Sequence, residues 1–167
     1  MNRVDQINAA VFLLRVVCGV TLALHGLNKA KSLEGTAKWF EFLGMKPGAL
    51  HARMASSTEI GCGVLMALGF LTPFAGAGFV AIMLVAGWTA HRKNGFFIFR
   101  KGEGWEYVMV LGVVGAAMGG IGAWEWSLDD AFGWYYGDWG LIISAVGGVI
   151  AGVAQLVVFY KPAPDTQ

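Results

Sequence analysis

The sequence predicts an all-α, polytopic membrane bundle of five spans, and three observations carry that prediction. The 167-residue chain is 56% hydrophobic and only 14% charged, with 25 glycines and a mean hydropathy of +0.59, a balance found in membrane proteins rather than soluble domains. Five apolar stretches, at about 8–28, 54–72, 74–91, 107–123 and 139–160, approach or reach the roughly 20 residues that cross about 30 Å of hydrocarbon. The loop charges are lopsided: Lys29, Lys31, Lys38, Lys46 and Arg53 border the first connection and Arg92, Lys93, Arg100 and Lys101 fill the third, whereas Thr72-Pro73 and 124–139 carry no Lys or Arg. Under the positive-inside rule this predicts an N-out/C-in chain and an odd number of spans. Runs such as Val108-Met-Val-Leu-Gly-Val-Val are apolar at every position, which excludes the alternating pattern of a membrane β-barrel. The whole of 1–167 reads as a single multi-pass membrane domain, and the expected location is the plasma (cytoplasmic) membrane.

The first span carries Arg15, which interrupts the would-be apolar core of a signal peptide, so the segment is expected to remain as a helix. A guanidinium there either faces protein and has a partner or snorkels to the near surface. At about 100° per residue, Arg15, Cys18, Leu22, His25 and Lys29 share roughly a quarter of the helix circumference. The stretch at about 34–45, with Trp39, Phe40, Phe42 and Leu43 before Gly44 and Pro47-Gly48, predicts a short interfacial helix without chemistry of its own. The second span holds Glu59 near its basic end, and the break at Leu71-Thr72-Pro73 joins it to the third as a tight antiparallel hairpin that ends at His91.

The fourth span begins at Glu106 and places small residues four apart at Gly112, Ala116 and Gly120 and at Gly115 and Gly119. Residues 124–139 are rich in Trp and Tyr beside Glu125, Asp129, Asp130 and Asp138, which predicts an aromatic belt on the outer face, with a docking surface for a partner as the alternative. The fifth span, with Gly148, Gly152 and a lone Gln155, reads as packing, and the tail KPAPDTQ as short and mobile.

Alternating span directions bring His25, Lys29, Glu59, His91 and Glu106 toward one leaflet. A lone buried charge costs several kcal/mol, so a compensated polar network is required there. That network is either architecture or chemistry. In the chemical reading His91 and Glu106 are proton donors, Glu59 and His25 a relay, and Arg15 and Lys29 charge partners for a bound apolar molecule such as a quinone. Cys18 and Cys62 lie at similar depth but form no Cys-x-x-Cys, and read as core residues more than as a redox pair. No Glu-x-x-His pair supports a bundle metal site, and no basic groove supports nucleic-acid binding.

These residues resemble the DoxX family of small bacterial and archaeal membrane proteins. The resemblance rests on Leu14-Arg15, His25-Gly26-Leu27-Asn28-Lys29, Trp39-Phe40-Glu41-Phe42-Leu43-Gly44, Glu59-Ile60-Gly61, Leu68-Gly69-Phe70-Leu71-Thr72, His91 with Asn94-Gly95-Phe96-Phe97, Glu106-Tyr107 and Ser127-Leu128-Asp129, over about residues 9–130. It implies a four-helix core, to which the fifth C-terminal span is an addition, and a link to thiosulfate:quinone oxidoreductase. It also implies association with soluble redox enzymes, and it puts functional residues at Arg15, His25, Lys29, Glu59, His91, Asn94 and Glu106, with Arg15, Lys29 and Asn94 on the cofactor side. The expected partners are therefore the bilayer, a soluble or membrane redox protein and a second copy of the chain in a homo-oligomer. A non-catalytic scaffold for redox partners and a small-molecule or lipid transporter are the rival classes.

Overall fold

The computed structural model describes residues 2–162; the last five residues of the tail read above as mobile lie outside the described residues. Among the described residues the chain is helical, with no strand beyond an isolated bridge between Met45 and Tyr160. Helix α1 spans Arg3–Lys31 and starts on a reciprocal cap in which Asn2 Oδ1 accepts from Asp5 N at 2.9 Å and Asp5 Oδ2 accepts from Asn2 N at 3.2 Å. Helix α2, Leu33–Phe42, buries Phe40 and exposes Phe42. Helix α3 runs Gly48–Leu68, beginning well before the apolar stretch does, and takes His51 and Arg53 into its first turns.

Helix α3 stops at Gly69, whose φ of 64° lets Phe70 N reach back to Leu65 O at 2.9 Å, a left-handed cap that favours glycine. Leu71 also sits at positive φ, 50°, and Asp129 holds it there: Oδ1 accepts from Leu71 N at 2.7 Å, and Oδ2 from Thr72 N at 3.0 Å and Thr72 Oγ1 at 2.7 Å. Helix α4 follows over Thr72–Asn94, π-helical at Gly87–His91. Helix α5 is Glu106–Ile121, α6 the short turn Leu128–Ala131, and α7 Trp139–Phe159, π-helical over Ile142–Gly147.

Helix α4 is the centre of the bundle, packed on α3, α5 and α7, while α1 lies outside α3 and barely touches α5. Small residues permit each approach. A Cβ on Gly19 or Gly63 would overlap the opposite backbone where α1 crosses α3, and Gly148 and Gly152 of α7 lie against Val80 and Ala81 of α4. At the end of α7, Lys161 N donates to Gly44 O at 2.7 Å and Lys46 N to Phe159 O at 3.2 Å, tying the 159–161 stretch to the α2–α3 link.

The exterior is apolar where a soluble protein's would be charged: Leu13, Val17 and Leu24 of α1, Val113 of α5 and Val157 of α7 all face outward. By length and composition α1, α4 and α7 could each cross a membrane, and α5 is a shorter apolar helix. The fold is thus a helical membrane bundle. Gly19→Leu is expected to lower stability in detergent by about 1–3 kcal/mol or more, because the added atoms meet backbone rather than a side chain that can move. Gly61→Ala, at a position with open space, should change it by no more than about 1 kcal/mol in the stabilising direction. Thermal unfolding of both variants checks the crossing.

Candidate functional site

Polar side chains gather at two ends of α1, separated by roughly 21 Å at 1.5 Å per residue. At one end Lys29 Nζ lies 2.8 Å and 2.7 Å from the two oxygens of Glu59, joining α1 to α3. The Glu59 side chain is 4% exposed and that of Lys29 22%, so the carboxylate depends on the ammonium more than the reverse. Gly26 makes the pair sterically possible, since a Cβ there would run into Glu59 and Ile60.

This pair forms part of the wall of a cavity of about 340 Å³ bounded by α1, α2, α3, α4, α5 and α7. Leu22, Ala77, Ala81, Ile82 and Met83 line its apolar part, and His25, Lys29, Glu59, His91 and Tyr107 are its polar and aromatic wall. Tyr107 lies between the two histidines, stacked on His25 at 6.1 Å and 13° between planes, and edge-on to His91 at 5.4 Å and 90°. His91 is buried and His25 exposed, so the cavity reaches the surface on the His25 side. Volume and lining resemble those of a small-molecule site: apolar walls with a few convergent polar groups.

Of the residues picked from the sequence, the structure brings His25, Lys29, Glu59 and His91 to this cavity. It does not bring Glu106, Asn94 or Arg15. Glu106 Oε2 accepts from Ile98 N at 3.1 Å and faces the 95–105 loop, because its neighbour Tyr107, about 100° around the helix, occupies the cavity face. Asn94 Nδ2 donates to the carbonyls of Ala90, at 3.0 Å, Gly102 and Glu103, and so stitches that loop.

Arg15 belongs to the far end of the bundle. It is fully buried and donates to Ala67 O at 3.3 Å and Trp126 O at 2.6 Å, with its guanidinium 5.8 Å from the Phe12 ring centre. Nearby Asn8 Nδ2 donates to Glu125 Oε2 at 2.8 Å and Asn8 Oδ1 accepts from Glu125 N at 3.1 Å, so the aromatic segment is fastened to α1 at two places. Burial, and then the Asp129 carboxylate, push the Tyr136 phenol above its ordinary value in that cap.

Tyr107, Trp39 and Gln155 line the cavity without having been picked as site residues. Trp39 comes from the interfacial helix and Gln155 from the helix read as packing alone. Gln155 Nε2 is 3.1 Å from Nδ1 of His51, which is fully buried beside Phe40 and Phe159. Cys18 and Cys62 are free thiols, half-buried against the apolar core. Among the described residues no group of three or more His, Cys, Asp or Glu is placed to hold a metal ion.

Comparison with known proteins matches residues 10–92 to the family model described as DoxX. The chain is 28% identical over 120 residues to the Bacillus subtilis (strain 168) protein named "Putative oxidoreductase CatD", covering 72% of this chain and 84% of that protein. No solved structure matches.

The ion pair generates its own test. Lys29→Met should destabilise the protein by about 3–5 kcal/mol by leaving a buried carboxylate uncompensated, whereas Lys29→Met combined with Glu59→Leu should recover most of that loss. Chemical unfolding in detergent, read as a double-mutant cycle, checks the coupling.

Proposed function

We propose, from the match of residues 10–92 of this membrane protein to the DoxX family model, that the chain is a quinone-interacting redox subunit whose ligand occupies the cavity beside Lys29 and Glu59. The observation that carries the reading is the cavity itself: about 340 Å³, apolar through most of its lining, with His25, Lys29, Glu59, His91 and Tyr107 gathered on it. That division suits a membrane-soluble molecule with an apolar ring and polar oxygens. The name of the B. subtilis relative, an oxidoreductase, points the same way.

When bound, a quinone supplies two-electron chemistry coupled to protons. The protein's part is to bind the ring and serve its oxygens. Tyr107 offers an aromatic ring in the wall, and the two histidines on either side of it stand where protons must be given or taken. Lys29 is held by Glu59, so its charge fixes the field of the site without a net buried charge. Glu59, with both oxygens on Lys29, serves as counter-ion in this arrangement. Electrons come from the substrate itself or from a redox partner protein at the basic Lys29 end; the excess of Lys and Arg in the loops there supports a cytoplasmic side for it, in a multi-pass plasma-membrane protein, N-out/C-in.

A second reading draws on the other end. The aromatic cap exposes Tyr135 almost fully and Trp139 largely, a surface suited to holding a partner in a non-catalytic scaffold.

Solvent extraction and mass spectrometry of protein purified in mild detergent separate the two. The cavity reading predicts about one quinone per chain in the native protein, a loss to roughly a tenth or less in Ala86→Trp, whose indole fills the cavity, and retention in Glu106→Gln. Native protein that takes up no quinone even after supplementation would retire this reading in favour of the scaffold.

A further inference from the structure

We infer that His91 is a hydrogen-bond acceptor that selects a hydroxyl-bearing aromatic ligand, of the hydroquinone or phenol class, and that the 95–105 loop fixes the tautomer this requires. The inference rests on the cavity reading above and names the form of ligand the cavity takes.

His91 closes the π-helical turn Gly87–His91, and its Nδ1 lies 2.8 Å from the carbonyl oxygen of Glu103. A carbonyl can only accept, so Nδ1 carries the proton, and in the neutral ring the lone pair sits on Nε2. That nitrogen lies across the ring from Nδ1 and has no hydrogen-bond partner among the described residues, while His91 lines the cavity and is 7% exposed as a residue.

The Glu103 carbonyl is itself held in place. Glu103 has a φ of 61°, a conformation non-glycine residues seldom adopt, and the loop imposes it through several bonds. Asn94 Nδ2 donates to the same carbonyl at 3.1 Å, Glu103 N donates to Arg100 O at 2.8 Å, Gly104 N to Phe97 O at 3.1 Å and Glu106 N to Phe96 O at 2.9 Å. Gly104 packs so closely on the carbonyls of Phe96 and Phe97 that no side chain fits there.

Several of the cavity's other polar groups are engaged, while His25 and Tyr107 stand beside His91 on its wall. Lys29 and Glu59 hold each other, Thr89 Oγ1 donates to Val85 O at 2.8 Å, and Gln155 faces His51. A ligand oxygen that reaches His91 meets the lone pair on its Nε2. A ring hydroxyl satisfies it; a carbonyl or an ether oxygen placed on Nε2 leaves two acceptors facing each other, which disfavours the oxidised or methylated ring relative to the hydroquinone.

The test compares a short-chain prenylated hydroquinone, kept reduced, with its dimethyl ether, by titration calorimetry on the full-length protein in nanodiscs. The wild type is expected to prefer the hydroquinone by roughly tenfold or more, and His91→Phe to bring the two within about twofold while changing ether affinity by less than about threefold. Nitrogen-15 NMR of histidine-labelled wild type gives a second readout independent of the variant: His91 should show protonated Nδ1 and an Nε2 signal that moves with hydroquinone and not with ether. Equal binding of both ligands by the wild type, a preference that survives in His91→Phe, or a protonated Nε2 in the neutral ring would overturn the acceptor role and leave the cavity reading standing. Failure of both ligands to bind would overturn the cavity reading and this inference with it.

Discussion

The rest of the site depends on the contact between Lys29 and Glu59. A carboxylate 4% exposed in an apolar bundle needs a cation at hydrogen-bond distance, and the ammonium of α1 supplies it to α3 with both oxygens engaged. The contact needs two helices close together, and Gly26 beside Glu59 with Gly19 against Gly63 provides that proximity. At the other end Arg15 binds carbonyls of Ala67 and Trp126. Helix α1 is therefore fastened by a cation at each end and by close backbone packing between them. Lipid tails give helices little hydrophobic reason to associate, so polar contacts and small residues must do this holding.

The cavity follows from the same arrangement. Helix α1 is drawn to α3 and scarcely meets α5, and His25 stacks on Tyr107 across the space between them. Helix α4 forms the back wall. Its π-helical last turn changes the backbone bonding, and Thr89 and Asn94 side chains serve the carbonyls of Val85 and Ala90 there. His91 comes at the end of this turn, facing both the cavity and the loop that holds its Nδ1.

The helical membrane class was legible because hydropathy alone decides it: stretches such as 139–160 have no stable place except in lipid or a large core. The polar wall of the cavity was legible in part, and the picked residues that lie elsewhere do so for physical causes. Arg15 and Lys29 share a stripe on a helical wheel, but a wheel discards the rise along the axis, and that rise puts Arg15 in the aromatic cap at the far end instead of the cavity. Glu106 and Tyr107 are neighbours in sequence, so only packing decides which faces inward; the aromatic ring does, and the carboxylate turns to Ile98 N. Gln155 is a single polar residue on an apolar helix, a pattern shared by countless packing positions. The Nδ1 contact of His91 depends on a positive φ at Glu103, which no side-chain pattern announces.

The most direct test of the central claim, that an apolar ring-bearing ligand sits between α1, α3, α4 and α5, is photolabelling with an azido-quinone in native membranes, followed by peptide mapping. The account predicts label on the peptides that hold Leu22 to Lys29, Met54 to Glu59 and Ala81 to His91, competed away by unlabelled quinone. Label confined to the 124–137 cap, or spread over outward-facing residues such as Leu13 and Val157 without competition, would contradict it.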